Sequence, residues 1–326
     1  MMLKRRVVIA GLGAALPAIA SAQPRKKIVV GFISWWPAFM EKDYVPRLRK
    51  GLAALGYAEP QTLELLTTFV GGDPALTREA AKRLIARKVD VIVVIATPAA
   101  TIVKQETQAS QIPVVMAPVS DPLATGLVQS IARPGGNLTG MSMAGPDLSG
   151  KRLQILSDIM PNLESLAFVG SNRDPNTKTF ITSLDRVAAQ AGLKLVVRLV
   201  DSPKQIDDAL MADLRQAGAQ AVNIQPIFIG RQDEVVAAAT RAGLPSTSDF
   251  PVFAEAGALF TYGLDDRARI ERAAYFIDRI VRGTKPADLP IEQPTEFVLI
   301  VNRKAAAAFK LTIPPTVIAQ ANDVIE

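Results

Sequence analysis

The chain has 326 residues, 49% hydrophobic and 21% charged, which places it among globular proteins and gives room for two domains of ordinary size. It contains no cysteine and no histidine, which excludes disulfides, thiolate metal sites, cysteine nucleophiles and any Ser-His-Asp triad, and leaves catalysis only to carboxylates or lysine. The formal net charge of +6 falls to +3 once the three basic residues of an expected leader (Lys4, Arg5, Arg6) are subtracted, and no basic run interleaved with aromatics remains to favour nucleic acid.

That leader is residues 1–22, with a basic start, an apolar stretch over 7–19 and the small tripeptide Ala20-Ser21-Ala22. It reads as a secretory signal peptide cleaved after Ala22, so that the mature chain starts at Gln23. The apolar part is too short to span a bilayer, and Arg5-Arg6 permits twin-arginine export as well as the general secretory route. Residues 7–16 also mimic the first strand and glycine turn of a dinucleotide fold. Leu16 stands at the third glycine position and Pro17 would interrupt the helix, so that reading fails.

Residues 27–33 form a β-type apolar run ending at Ser34, followed by Trp35-Trp36-Pro37 in a loop. Each tryptophan can pack as core or serve as a stacking wall for a ligand, and both readings stay open. An amphipathic helix over 44–55 stops at Gly56, a second strand is expected at Leu63–Phe69, and Gly71-Gly72-Asp73-Pro74 turns into a helix over 75–87. Residues 89–96 and 112–119 are continuous Val/Ile-rich runs, as parallel strands covered on both faces read. Each is followed by a helix-start signal, Thr97-Pro98 and Ser120-Asp121-Pro122, which predicts two capped helix N-termini on one sheet edge. In open α/β sheets that edge binds ligands. Arg133-Pro134-Gly135-Gly136-Asn137 is a turn, and 138–143 leads out of this unit.

The same grammar then restarts: helix 151–160, strand 166–169, polar loop 170–176, helix 177–191, strand 193–199, helix 206–217, strand Ala221–Ile224 and helix 231–242. A short strand ending at Gly263, a helix over 267–282, a strand over 297–301 and two short helical segments complete the chain. Two βαβ units of similar order joined near Ala144-Gly145-Pro146 predict two doubly wound parallel-sheet lobes.

Several motifs, in this order and spacing, carry a family resemblance. They are Gly72-Asp73-Pro74, residues 91–100, Ser120-Asp121-Pro122, residues 133–140, Glu255-Ala256-Gly257, Tyr262-Gly263, residues 283–290 and residues 311–315. Together they resemble the ABC-transporter substrate-binding proteins related to tryptophan- and tyrosine-binding members, across essentially the whole mature chain. The resemblance implies the α/β class I periplasmic-binding-protein fold, two lobes joined by three crossings that close on a small molecule. It places the first lobe at 28–143 plus 261–288 and the second at 144–260 plus 289–326. It implies a periplasmic monomer without cofactor or enzymatic activity, binding an amino acid (an aromatic one by analogy with its relatives) and delivering it to an inner-membrane ABC permease and its ATPase.

For such a ligand, a carboxylate requires donors, which Thr97 and the amides of Ala99 and Ala100 supply at a helix N-terminus, with Ser120 beside them. An ammonium requires acceptors; Asp121 is one candidate, with helix capping as its alternative role. The resemblance turns Asn172, Asp174 and Asn176 toward the cleft; Asp249 is a weaker candidate on the loop over 246–251, and Ser34, Trp35 and Tyr262 at strand ends complete the ligand-facing set. The chain departs from relatives at Gly170-Ser171-Asn172, where they carry Tyr-Asn-Pro, and at Ser248-Asp249-Phe250-Pro251, where many carry a Tyr-Pro-Phe-Arg-like pattern. Both are ligand-facing loops of the second lobe. Two other readings stand beside transport: a periplasmic sensor on the same fold that signals to a membrane receptor, and a carboxylate-based enzyme.

Overall fold

The structure, a computed structural model, describes residues 26–326, so the leader, its cleavage point and the glycine-turn mimic lie outside the described residues. In chain order the first unit holds β1 (Ile28–Ser34), α1 (Glu41–Ala54), β2 (Leu63–Phe69), α2 (Pro74–Ala86), β3 (Val91–Ile95), α3 (Thr97–Thr107), β4 (Val114–Val119) and β5 (Leu138–Ser142). The second holds α4 (Ser149–Ile159), β6 (Ser165–Ser171), α5 (Thr177–Gln190), β7 (Lys194–Val200), α6 (Asp208–Gln216), β8 (Ala221–Ile224), α7 (Gln232–Arg241), β9 (Ser246–Ser248), α8 (Pro251–Glu255) and β10 (Phe260–Gly263). Then come α9 (Asp266–Val281), β11 (Val298–Asn302), α10 (Arg303–Ala308), α11 (Pro315–Ile318) and β12 (Asp323–Ile325).

The strands form two sheets. The first is fully parallel in the order β2-β1-β3-β4-β5. Every residue of β3 and β4 is buried, as expected of runs with no polar face. The second runs β12-β11-β10-β9-β8-β6-β7 and is parallel except for the β10–β11 pair. Strand β6, between β8 and β7, alternates: Ala167 and Val169 join the apolar cluster shared with the first lobe, whereas Leu166 and Phe168 join the cluster on the other face.

Helix α9 returns to the first unit and packs on α1 and on β3, β4 and β5. The strand before it does not. β10 pairs with β9 and β11, so the expected boundary at residue 261 cuts through a strand of the second sheet, and the chain crosses at Leu264 and Asp265 instead. Three segments thus connect the lobes: residues 143–148, 264–265 and 289–297. The last is tied beside β5, where Ser142 N donates to Glu292 O at 2.9 Å and Glu292 N to Gly140 O at 2.9 Å.

Two strands carry no signature in the residue pattern. β9 is Ser-Thr-Ser and wholly buried, and β12 closes the far edge of the second sheet beside β11. One expected helix is missing: residues 122–127 after β4 form turns.

Candidate functional site

In each sheet the chain leaves two adjacent strands in opposite directions, and the gap between their carboxyl ends is where such sheets bind ligands. In the first sheet that switch point lies between β1 and β3, at Ser34 and Thr97; in the second, between β6 and β8, at residues 171–176 and Gln225. The two switch points face each other. Asn176 Nδ2 donates to Thr97 Oγ1 across the lobes at 2.6 Å, and Ser120 N donates to the same oxygen at 3.2 Å.

Both residues stand at helix starts that lack a side-chain cap. The cap position of α5 is Asn176, one of the best capping residues, yet its side chain makes no capping bond and is spent on Thr97. The cap position of α3 is Ala96, held at φ +71° and ψ 149°, a conformation that costs a non-glycine residue about 1–3 kcal/mol. Elsewhere Asp73, Asp207 and Asp265 cap α2, α6 and α9 in the ordinary way. The two uncapped N-termini, each carrying partial positive charge, therefore converge where the lobes meet. Asn176 is fully buried, and its Oδ1 has no donor among the described residues.

A buried relay supports Asn176. Asp174 Oδ1 accepts the Asn176 amide at 3.0 Å and Oδ2 accepts Gln225 Nε2 at 2.8 Å, while Gln225 Oε1 accepts Ser171 N at 2.8 Å and Thr177 Oγ1 at 3.1 Å. Burial pushes the Asp174 carboxyl up to about 6, against the pull of the bonds from Asn176. In the folded chain this group keeps a proton between pH 4 and 6 that the unfolded chain has released, so its contribution to stability falls as pH rises through that window. The shift of about two units corresponds to roughly 3 kcal/mol at most. Burial raises Asp249 likewise to about 6, so the wild-type decline combines both groups. Urea unfolding from pH 4 to 7 is expected to show a shallower decline in Asp174→Asn than in wild type; equal slopes would show that Asp174 does not titrate there.

The remaining expected residues divide. Ser34 Oγ accepts Trp36 N at 3.2 Å and is turned into its own loop. Trp35 and Trp36 are 5% and 4% exposed, pinned by bonds from Gly72 N and Gly71 N to their carbonyls, and both line a 230 Å³ groove between the lobes with Phe39, Ile227 and Arg231. Trp36 Nε1 is buried with no acceptor among the described residues. Thr97 is the first residue of α3 rather than its cap. The amide of Ala100 is used by Ala96 O at 3.0 Å, whereas that of Ala99 makes no backbone bond among the described residues. Ser120 contributes its amide to Thr97. Asp121 is a cap: its Oδ1 accepts Leu123 N at 3.1 Å and Ala124 N at 2.9 Å, over a turn instead of a helix. Asn172 is exposed and bonded to Asp201, away from Thr97. Tyr262 lays its ring on Phe297 at 6.0 Å. Asp249 is buried, with Oδ2 paired to Arg152 at 3.0 Å and Oδ1 without a partner among the described residues.

Three participants escaped the residue pattern. Gln225 follows directly on β8, the position that Thr97 nearly holds after β3, so its place at a strand end was the available signal. Arg152 breaks the apolar row Leu148, Leu156, Ile159 of an otherwise amphipathic helix, a visible anomaly. Gly230 has φ +89°, and a Cβ built there would lie 2.6 Å from the Pro37 ring across the groove mouth. Larger hollows of 440 and 630 Å³ lie away from both switch points, the first beside Tyr57 and Asp90, the second beside Asp208 and Arg241.

Residues 37–325 match the family described as ABC transporter substrate binding protein. The chain belongs to that family. Its members bind small molecules and partner with ABC permeases; they are binders rather than catalysts, and typically extracellular or periplasmic. A tyrosine-binding protein of Clostridioides difficile (strain R20291) is 23% identical over 263 residues, 80% of this chain and 75% of that one. Among solved structures, an ABC domain from Streptococcus pneumoniae in complex with L-Trp is 26% identical with a TM-score of 0.84, covering 92% of this chain and all of that one. A conserved domain protein from Vibrio cholerae O1 biovar El Tor is 25% identical with a TM-score of 0.85 over the same shares. The architecture of this family member is the class I periplasmic-binding-protein fold.

Proposed function

We propose that the cleft binds a free amino acid, an aromatic one, as the periplasmic receptor of an ABC import system. The observation that carries this reading is the convergence of the uncapped N-termini of α3 and α5 at the Thr97–Asn176 contact. Such a pair of helix ends suits a carboxylate. The unpaired Asn176 Oδ1 and Asp249 Oδ1 suit the donors of an ammonium, and Trp35 and Trp36 offer ring faces beside the groove. The tyrosine-binding and L-Trp-bound relatives point to the same ligand class. After signal-peptide cleavage the chain works as a monomer in the periplasm and hands its ligand to a permease driven by an ATPase.

Native mass spectrometry of protein recovered from a periplasmic extract tests these points together. The expected result is a monomer beginning near Gln23 that retains one aromatic amino acid and loses it on mild activation. A retained sugar, or an organic acid without an amino group, would overturn the ligand class; an intact leader on cytoplasmic protein would overturn the location.

A further inference from the structure

Arg152 is 2% exposed, in the first turns of α4, and its guanidinium spreads over three partners on three different segments. Nη1 donates to Asp249 Oδ2 and to Tyr262 O, both at 3.0 Å, and Nη2 donates to Gly145 O at 2.6 Å. Gly145 lies in the first crossing between the lobes, and Tyr262 stands at the end of β10 just before the second. Asp249 is wedged between them: a Cβ on Gly145 would sit 3.0 Å from Asp249 Oδ2, and one on Gly263 would sit 2.3 Å from Asp249 O. Immediately outside this clamp, Ala144 is held at φ +50°, a conformation sparsely used by non-glycine residues.

We propose that Arg152 is the positioning residue of the hinge, tying the second-lobe ends of two crossings to Asp249 so that rotation of the lobes is confined to the residues next to the clamp, around Ala144 and Leu264. A planar fork is suited to this, because it holds several acceptors in fixed directions, which an ammonium on a flexible stem does not. Arg152 thereby sets the balance between open and closed lobes, and the ligand's apparent affinity scales with the closure-competent fraction. The affinity part of the test rests on the amino-acid reading above; the distance part does not.

The absence of cysteine makes the measurement direct. Spin labels on Gln108→Cys and Gln216→Cys, both exposed and on different lobes, report the inter-lobe distance without ligand. In Arg152→Lys, which keeps a cation beside Asp249 but loses the fork, the ligand-free distance distribution is expected to broaden and lengthen. Binding of L-tryptophan is expected to weaken about tenfold, mainly through faster release. Arg152→Met with Asp249→Asn, which leaves no lone buried charge, provides the same readout if the lysine variant does not fold. A wild-type distance distribution in whichever variant folds overturns the proposal even if melting falls, since a merely structural role would move only the melting. If wild-type protein fails to bind L-tryptophan, the ligand reading is at fault, and the distances alone still decide the hinge.

Discussion

Thr97→Val is expected to weaken binding of the cleft ligand ten- to a hundredfold while leaving the fold intact. Valine preserves the shape of threonine but removes the acceptor that Asn176 Nδ2 reaches at 2.6 Å and Ser120 N at 3.2 Å. When the lobes part, the Asn176 amide returns to water and loses little. When they close, it is buried without a partner, at a cost of about 1–3 kcal/mol. The loss therefore falls on closure, and a faster ligand off-rate should account for most of it. Asn176→Ala should have an effect of similar size, and the double variant should be much less than additive, because the two changes remove one shared contact. Titration calorimetry with L-tryptophan and L-tyrosine checks this. Unchanged affinity in Thr97→Val, or full additivity in the double variant, would show that the cross-lobe contact does not serve binding.

Gly230→Ala is expected to hold the lobes apart and to reduce affinity about a hundredfold. Its added Cβ would sit 2.6 Å from both Cγ and Cδ of Pro37, closer than carbon atoms approach in folded proteins, and the φ of +89° already disfavours any side chain. The two costs separate. The backbone term, about 1–2 kcal/mol, is paid whether the lobes are open or closed and lowers stability only. The clash with Pro37 exists only in the closed form and lowers affinity. Pro37→Gly added to Gly230→Ala should therefore restore much of the binding without restoring the melting temperature. If the second change leaves affinity low, the glycine matters for local backbone shape and not for closure.

These two contacts show what could be read along the chain and what could not. The buried strands were legible because their cause is local: an unbroken Val/Ile run such as 91–95 has no polar face to show to water. Thr97 was legible as a candidate because it stands just past the carboxyl end of such a strand. Ser120 and Asn176 stood among the expected ligand-facing residues, but the bond that joins Asn176 to Thr97 was not legible, since it spans 79 positions and depends on how the lobes meet. Local signals also misled. Ser120-Asp121-Pro122 has the composition of a helix start, and Asp121 does cap amides, but the segment turns instead of continuing as a helix. Asn172, two residues from Asp174, resembles it in chemistry, yet Asp201 at the end of the neighbouring strand draws its side chain away. β9 escaped notice because Ser-Thr-Ser has no apolar signature; it is buried only because β8 and β10 flank it.

By itself the sequence determined the two-lobe α/β plan, most of the order of elements, the carboxyl edge of the first sheet at which Thr97 stands and the absence of histidine and cysteine chemistry, all properties of composition and short-range pattern. Only the tertiary structure decided that Asn176 forgoes its own helix cap to meet Thr97, that Asp121 is spent on a turn, and that Arg152 holds two crossings against Asp249. The physical reason is the same in each case. A polar side chain bonds to whatever donors and acceptors its burial leaves within reach, and that neighbourhood is assembled from segments far apart in the chain.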